Sequence, residues 1–269
     1  MRILHFTDFH FGNSDPVFNK NQLASALISW LKNDPDDTVI VISGDVTLQG
    51  NKSGYSEAVE FFQKILVECD ISRNNVILCP GNHDIIEQSF DMFDDFSYAL
   101  RRDNKFLFSK HNSVLHVVDD ILFEVFNSSF HLNHKYGFID NKCFTKDAEF
   151  ETEYSHVVKR FAITHHHLLG MFENDTSAIR NAYEFVSYLD KYQFDYLLHG
   201  HQHAVQYYFI GEKPIQAISI RSGNYNQEGF LNAINSYKIE KIDSKLVSKA
   251  LIFEKKSSGI NIVENNNER

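Results

Sequence analysis

Thr38-Val39-Ile40-Val41-Ile42 is an unbroken apolar, β-branched run that stops at Ser43-Gly44-Asp45. A strand with one face in water alternates, so a run without alternation belongs to a strand covered on both faces. Four further runs read the same way: Ile3 to Phe6, Asn75 to Cys79, Arg160 to Thr164 and Asp195 to Leu198. Each ends where a short polar motif begins. In chain order these are Asp8-Phe9-His10, Gly44-Asp45, Gly81-Asn82-His83-Asp84, His165-His166-His167 and Gly200-His201-Gln202-His203. Open α/β sheets place their ligands at the carboxyl ends of strands, where all five motifs fall.

Helical patterns separate the runs, at Pro16 to Leu31, Tyr55 to Glu68, Ile86 to Leu100 and Ile179 to Tyr192. Leu23, Leu27 and Leu31 show the i, i+4 spacing, with the polar Asn19 weakening the first turn. Strands alternating with helices predict βαβ units and a largely parallel sheet. Ser113 to Asp119 and Ile121 to Asn127 read as strands of a second sheet, as do Pro214 to Ser219, Ala233 to Ile242 and Leu246 to Phe253. Two sheets face to face with helices outside give an α/β fold, a four-layer α/β/β/α sandwich of two mixed sheets. The expected catalytic domain spans residues 1–254. The polar tail 255–269, ending Glu264-Asn265-Asn266-Asn267-Glu268-Arg269, reads as frayed.

Composition narrows the function. A chain of 269 residues buries a large core and is routinely one domain in α/β folds. Cys69, Cys79 and Cys143 have no CxxC spacing and read as reduced thiols. The first run begins at Arg2 and no apolar run approaches the roughly 18 residues of a membrane span, so a cytoplasmic location without membrane contact is expected. Net charge is −10. Arg101, Arg102, Lys105 and Lys110 form the densest basic group, among Asp91, Asp94, Asp95 and Asp103. Proteins that track a nucleic-acid backbone cluster their positive charge, so nucleic acid is disfavoured as a partner.

Imidazole nitrogens and carboxylate oxygens suit divalent transition metals, and metal-activated water is a strong nucleophile at neutral pH. The five motifs therefore read as a hydrolase site for a phosphate ester. In this order and context they resemble the calcineurin-like metallophosphoesterases, whose pattern D-x-H, G-D, G-N-H-D/E, H, G-H-x-H is matched over residues 4–203. Gly44 to Gly50 and Ile179-Arg180-Asn181-Ala182 look most like bacterial cyclic-nucleotide and glycerophosphodiester phosphodiesterases. Leu168 departs from the family, where a proline commonly follows the histidine run.

The resemblance implies two metal ions of Mn, Fe or Zn type, divalent or mixed-valence, and assigns their holders. Asp45 is the natural bridge, with Asp8, His10 and His203 on the first ion and Asn82, His165 and His201 on the second. His165 is preferred within its run, since side-chain alternation turns His166 away while His167 can return. His83 is assigned to chemistry as a proton donor or charge stabiliser, with Asp84 holding its ring. Arg180 and Asn181 are candidate substrate contacts. His199 reads as packing or support, and His5, His111, His116, His131, His134 and His156 as ordinary surface or core histidines. The function expected is a phosphodiesterase acting on a small diester, such as a cyclic nucleotide, through a metal-bridging hydroxide. A phosphomonoesterase or nuclease on the same site, or a non-catalytic scaffold, are the alternatives.

Overall fold

The structure is a computed structural model that describes residues 1–146, 148–212, 214–225, 231–240, 246–257 and 259–266. The expected runs form β1 (Arg2–Phe6), β2 (Thr38–Ser43) and β3 (Val76–Cys79), which pair in parallel in that order. Every residue of the three is buried. α1 (Lys20–Asn33), α2 (Lys52–Glu68) and α3 (Asp91–Arg101) contribute Leu23, Leu27, Phe61, Phe62, Ile65, Phe93 and Phe96 to the same core. Phe62 packs against Phe6, Phe9, Phe11, Phe61 and Phe96. Its truncation to alanine would cost about 3–5 kcal/mol.

A second six-stranded sheet holds β4 (Ser113–Val118), β5 (Ile121–Phe126), β6 (Lys159–Ile163), β7 (Tyr196–His199), β8 (Tyr207–Ile210) and β9 (Ile215–Ser219), in the order β4-β5-β6-β7-β9-β8. β5, β6, β7 and β9 run parallel, with antiparallel edges at β4 and β8. Alternation divides its side chains between two cores. Phe123, Phe161, Ile163, Leu198 and Ile218 join the core shared with the first sheet. Leu122, Ala162, Leu197 and Ala217 face Phe185, Tyr188 and Leu189 of α5 (Ala182–Lys191). A short α4 (Phe150–Glu153) packs Phe150 into this outer core. The two mixed sheets with flanking helices match the expected architecture.

The first sheet continues through β10 (Ala233–Ile239), β11 (Leu246–Lys256) and β12 (Gly259–Asn266), all antiparallel to their neighbours. The frayed tail is thus corrected over residues 259–266, which pair with β11. The indole of Trp30 on α1 donates to Glu264 Oε1 at 2.9 Å, holding this edge against the helix. Asn267, Glu268 and Arg269, together with the predicted strand ends at Lys241 and Ile242, lie outside the described residues.

Helix starts also differ from expectation, because capping groups override the apolar pattern. The Asn19 side chain accepts from the backbone N–H of Asn21 and Gln22, so α1 opens at Lys20 rather than Pro16. Ile86 and Ser89 exchange backbone hydrogen bonds around Glu87 and Gln88, both at positive φ, and α3 begins only at Asp91.

Candidate metal centre

Asp8-Phe9-His10-Phe11 leaves β1 with its aromatic rings turned into the core. Phe9 and Phe11 stack at 5.5 Å and pack on Phe61 of α2. The two polar side chains are thereby anchored from below. Asp8 and His10 take φ of 53° and 49°, in the left-handed region. Asp45, His201 and His203 share it at 50°, 73° and 51°. Asp and His are among the residues that tolerate this region, and such backbone is stored where the surrounding structure demands it. Gly44, at φ 97°, is required by contact as well: a Cβ there would lie 2.5 Å from His165 Nδ1 and 2.7 Å from Gly81 N.

All seven expected ligands are brought together. His203 Nε2 lies 3.3 Å from Asp8 Oδ1 and 3.2 Å from His10 Nε2. His165 Nε2 lies 3.3 Å from Asp45 Oδ1, 3.1 Å from Asn82 Oδ1 and 3.2 Å from His201 Nδ1. Among the described residues, the groups Asp8/His10/His203, His10/Asp45/His83 and Asp45/His165/His201 each hold donor atoms within 4.8 Å of one another.

The donor chemistry fits a cation. Ser43 O, which can only accept, lies 2.8 Å from His165 Nδ1, so that nitrogen carries the proton. In the neutral ring Nε2 then offers a lone pair toward Asn82 Oδ1 and the Asp45 carboxylate, three acceptors converging on one point. A metal ion or a second proton on His165 resolves that clash. Asp8 Oδ1 is likewise buried, with His203 Nε2 at 3.3 Å and, among the described residues, no group in full hydrogen-bond geometry. Burial pushes the Asp45 carboxyl up, but the facing imidazoles of His165 and His83 outweigh it and hold the group well below its ordinary range. Burial lowers His165, yet Asp45 and Asp8 lift it to about 9. Burial holds His10 at about 4 and His201 at about 3, in the neutral form that binds metals.

His83 is one-third exposed, with Nε2 4.0 Å from Asp45 Oδ2 and its ring edge-on to His10 at 5.2 Å. Asp84 does not hold it. The Asp84 carboxylate accepts from Gly81 N at 2.9 Å, Tyr55 Oη at 2.9 Å and Val46 N at 3.4 Å. It is fully buried, and burial together with the charge of Asp45 raises it to about 7. The expected catalytic part for Asp84 is corrected: it pins the Asn82 turn to the Gly44–Thr47 loop and to α2. Asn181 is corrected too. It is buried, and its amide donates to Ile139 O and Asn141 Oδ1 and accepts from Ile139 N, which makes it a brace for the segment before α5. Arg180 is exposed, its guanidinium 3.5 Å above the Tyr136 ring.

Within the histidine run only His165 enters a donor group. His166 Nδ1 meets Ser128 Oγ at 2.9 Å and its ring lies against His201. His167 stacks on His201 and faces Asp175 at 3.1 Å. Several further residues support these donors. Asp175 gathers Met171 N, Ser177 N, Gln202 Nε2 and His167 Nε2, fixing the loop after Leu168 against the last motif. Tyr225 packs on His10 and His203 at 4.8 and 5.3 Å. His134, read as ordinary, contacts Asn82.

This fold and donor set define the class: the chain belongs to the calcineurin-like phosphoesterase family, whose profile matches residues 1–205. The uncharacterized metallophosphoesterase-like protein YydB of Bacillus subtilis (strain 168) is 34% identical over 88 residues, 32% of this chain and 18% of that relative. The matched stretch therefore spans under a fifth of YydB's own length. A dimetal phosphatase from Danio rerio superposes with TM-score 0.70 at 11% identity, covering 100% of this chain and 99% of that one. A 5'-nucleotidase precursor from Thermus thermophilus superposes with TM-score 0.54 at 12% identity, covering 98% and 54%. These identities speak to the fold alone. Among the described residues no helix is long and apolar enough to cross a membrane.

Proposed function

We propose that this chain is a dinuclear-metal-dependent hydrolase of small phosphate esters, and a phosphodiesterase with a cyclic nucleotide as leading substrate. The observation that carries the proposal is the convergence of six His and Asp donors and the Asn82 amide oxygen from five strand ends, with Asp45 common to two of the donor groups. Asp8, His10, Asp45 and His203 would hold one ion, and Asp45, Asn82, His165 and His201 the other. Two such ions supply Lewis-acid charge to phosphoryl oxygens and lower the pKa of water. The chain's own residues orient the ester and manage protons. His83, at the exposed margin of the cluster, would donate to a leaving oxygen.

The cleft limits substrate size. A cavity of about 510 Å³ beside His201 is lined by Phe172, Asn174, Asp175, Thr176, Ser177 and Gln202. Phe172 is 74% exposed, an aromatic face for a compact organic group. Asp175 and the neighbouring Glu173 give this wall acidic character, which repels a long polyanion. Arg180 is retained as a substrate contact. A monoesterase reading draws on the named activities of the zebrafish and Thermus proteins. The test is a panel of nitrophenyl mono- and diesters, cyclic nucleotides, glycerophosphodiesters and single-stranded DNA, run with chelator and then with Mn²⁺. Activity should vanish on chelation, return with Mn²⁺ and favour cyclic nucleotides or glycerophosphodiesters. Metal-independent hydrolysis would remove the dinuclear reading, and faster turnover of a monoester or DNA would replace the diester.

A further inference from the structure

We infer that His134 is a positioning residue that orients the Asn82 amide and so sets the affinity of the second metal position, an inference that rests on the dinuclear reading. An asparagine amide has an oxygen end that can ligate and a nitrogen end that cannot. Asn82 is also the weakest donor of the set, being neutral, so its affinity depends on which end is presented. Two hydrogen bonds between Asn82 and His134 bear on that choice, one to the amide and one to the main chain beneath it. The His134 ring donates through Nδ1 to the main-chain carbonyl of Asn82 at 2.7 Å, because a carbonyl can only accept, and so fixes the His134 loop against the Asn82 turn. Asn82 Nδ2 in turn donates to the main-chain carbonyl of His134 at 3.4 Å, an acceptor that the ring's own bond keeps within reach. With the nitrogen committed to a carbonyl, Oδ1 is left facing His165 Nε2 at 3.1 Å.

The anchor is itself held from several sides. Gly137 N donates to Ser177 O and Arg180 N to Gly137 O, stitching the His134 loop to the segment before α5. Phe138 N donates to Ser128 O, beside the hydroxyl that meets His166. Arg180 stacks on Tyr136 within the same loop. Asn82 follows a strand of the first sheet, whereas this loop follows β5 of the second. The pair therefore fastens a ligand of one sheet to the frame of the other. Removing such a support from a metal ligand typically weakens binding about 10- to 100-fold.

The test is calorimetric titration of Mn²⁺ into the full chain after chelation. Wild type should take two equivalents. In His134→Ala the weaker step should fall in affinity by about 10- to 100-fold while the other is unchanged. His134→Asn, whose amide nitrogen can stand where Nδ1 stands, should recover most of the loss. His134→Phe keeps the bulk without the donor and should behave like alanine, which separates the hydrogen bond from packing should His134→Ala unfold by circular dichroism. Unchanged steps, equal weakening of both, or failure of His134→Asn to restore binding would overturn the inference. A wild-type chain that takes fewer than two equivalents overturns the dinuclear reading instead.

Discussion

The carboxylate of Asp45 and the imidazole of His165 meet at 3.3 Å across the seam between the two sheets. Asp45 follows β2 of the first sheet and His165 follows β6 of the second. Neither sheet alone assembles either proposed metal position, since Asp8, His10, Asp45 and Asn82 come from one and His165, His201 and His203 from the other. The centre is a property of the packed sandwich.

Replacing Asp45 by asparagine should therefore strike both ions together. The variant keeps volume and shape, so its circular dichroism should match wild type. Its metal content by mass spectrometry should fall at both positions, and its turnover should drop to the level of the chelated protein. Retention of one full equivalent would show that Asp45 does not bridge.

His83→Ala should separate chemistry from metal holding. The other donors remain, so metal content should stay near two equivalents while turnover falls by roughly 10²- to 10⁴-fold if the ring is a general acid. Nitrophenyl substrates should lose less than alkyl esters, because a phenolate leaves without a proton. Equal losses for both leaving groups would assign His83 to phosphoryl charge instead. Simultaneous loss of the metals would make it a ligand, in keeping with its place in the His10/Asp45/His83 group.

Far from the centre, His116 should govern part of the acid stability. Burial lowers it to about 4, with Arg101 and Lys105 opposing its charge and Asp103 favouring it, while Nε2 meets Asn74 O at 2.8 Å. The unfolded ring titrates near 6.5, so between about 6.5 and about 4 the unfolded chain binds more protons. The contribution is complete above pH 6.5 and declines as pH falls, by up to about 1.4 kcal/mol per unit. Urea unfolding of chelated wild type and His116→Gln between pH 7.5 and 4.5 checks this. The stability gap between them should narrow on acidification, and parallel curves would refute the assignment.

Two-sided burial explains why β1, β2, β3, β6 and β7 were legible: a strand covered on both faces writes a continuous apolar run. The proposed ligands could be picked out because few residue types bind metals and each motif follows such a run. Elsewhere the deciding interactions are not local in sequence. The β12 residues Asn265 and Asn266 read as a polar tail, yet their backbone pairs with Ala250 and Lys249 and the edge leans on Trp30. Asp84 sits in a motif, but its partners on the Gly44–Thr47 loop and α2 turn it from the expected catalytic helper into a buried brace. His134 lies 52 positions beyond Asn82, a separation at which no spacing rule operates.

The left-handed backbone at Asp8, His10, Asp45, His201 and His203 has a consequence for inheritance. On the dinuclear reading these positions are selected twice, once by chemistry and once by a conformation that β-branched residues adopt only with strain. Were a descendant of this chain to lose its metals, the chemical constraint would lapse while the conformational one stayed. Its former ligand positions would then drift toward Asn and Gly rather than Val or Ile. A retired member of this lineage would still be recognisable by the outline of the backbone its ancestors' metals required.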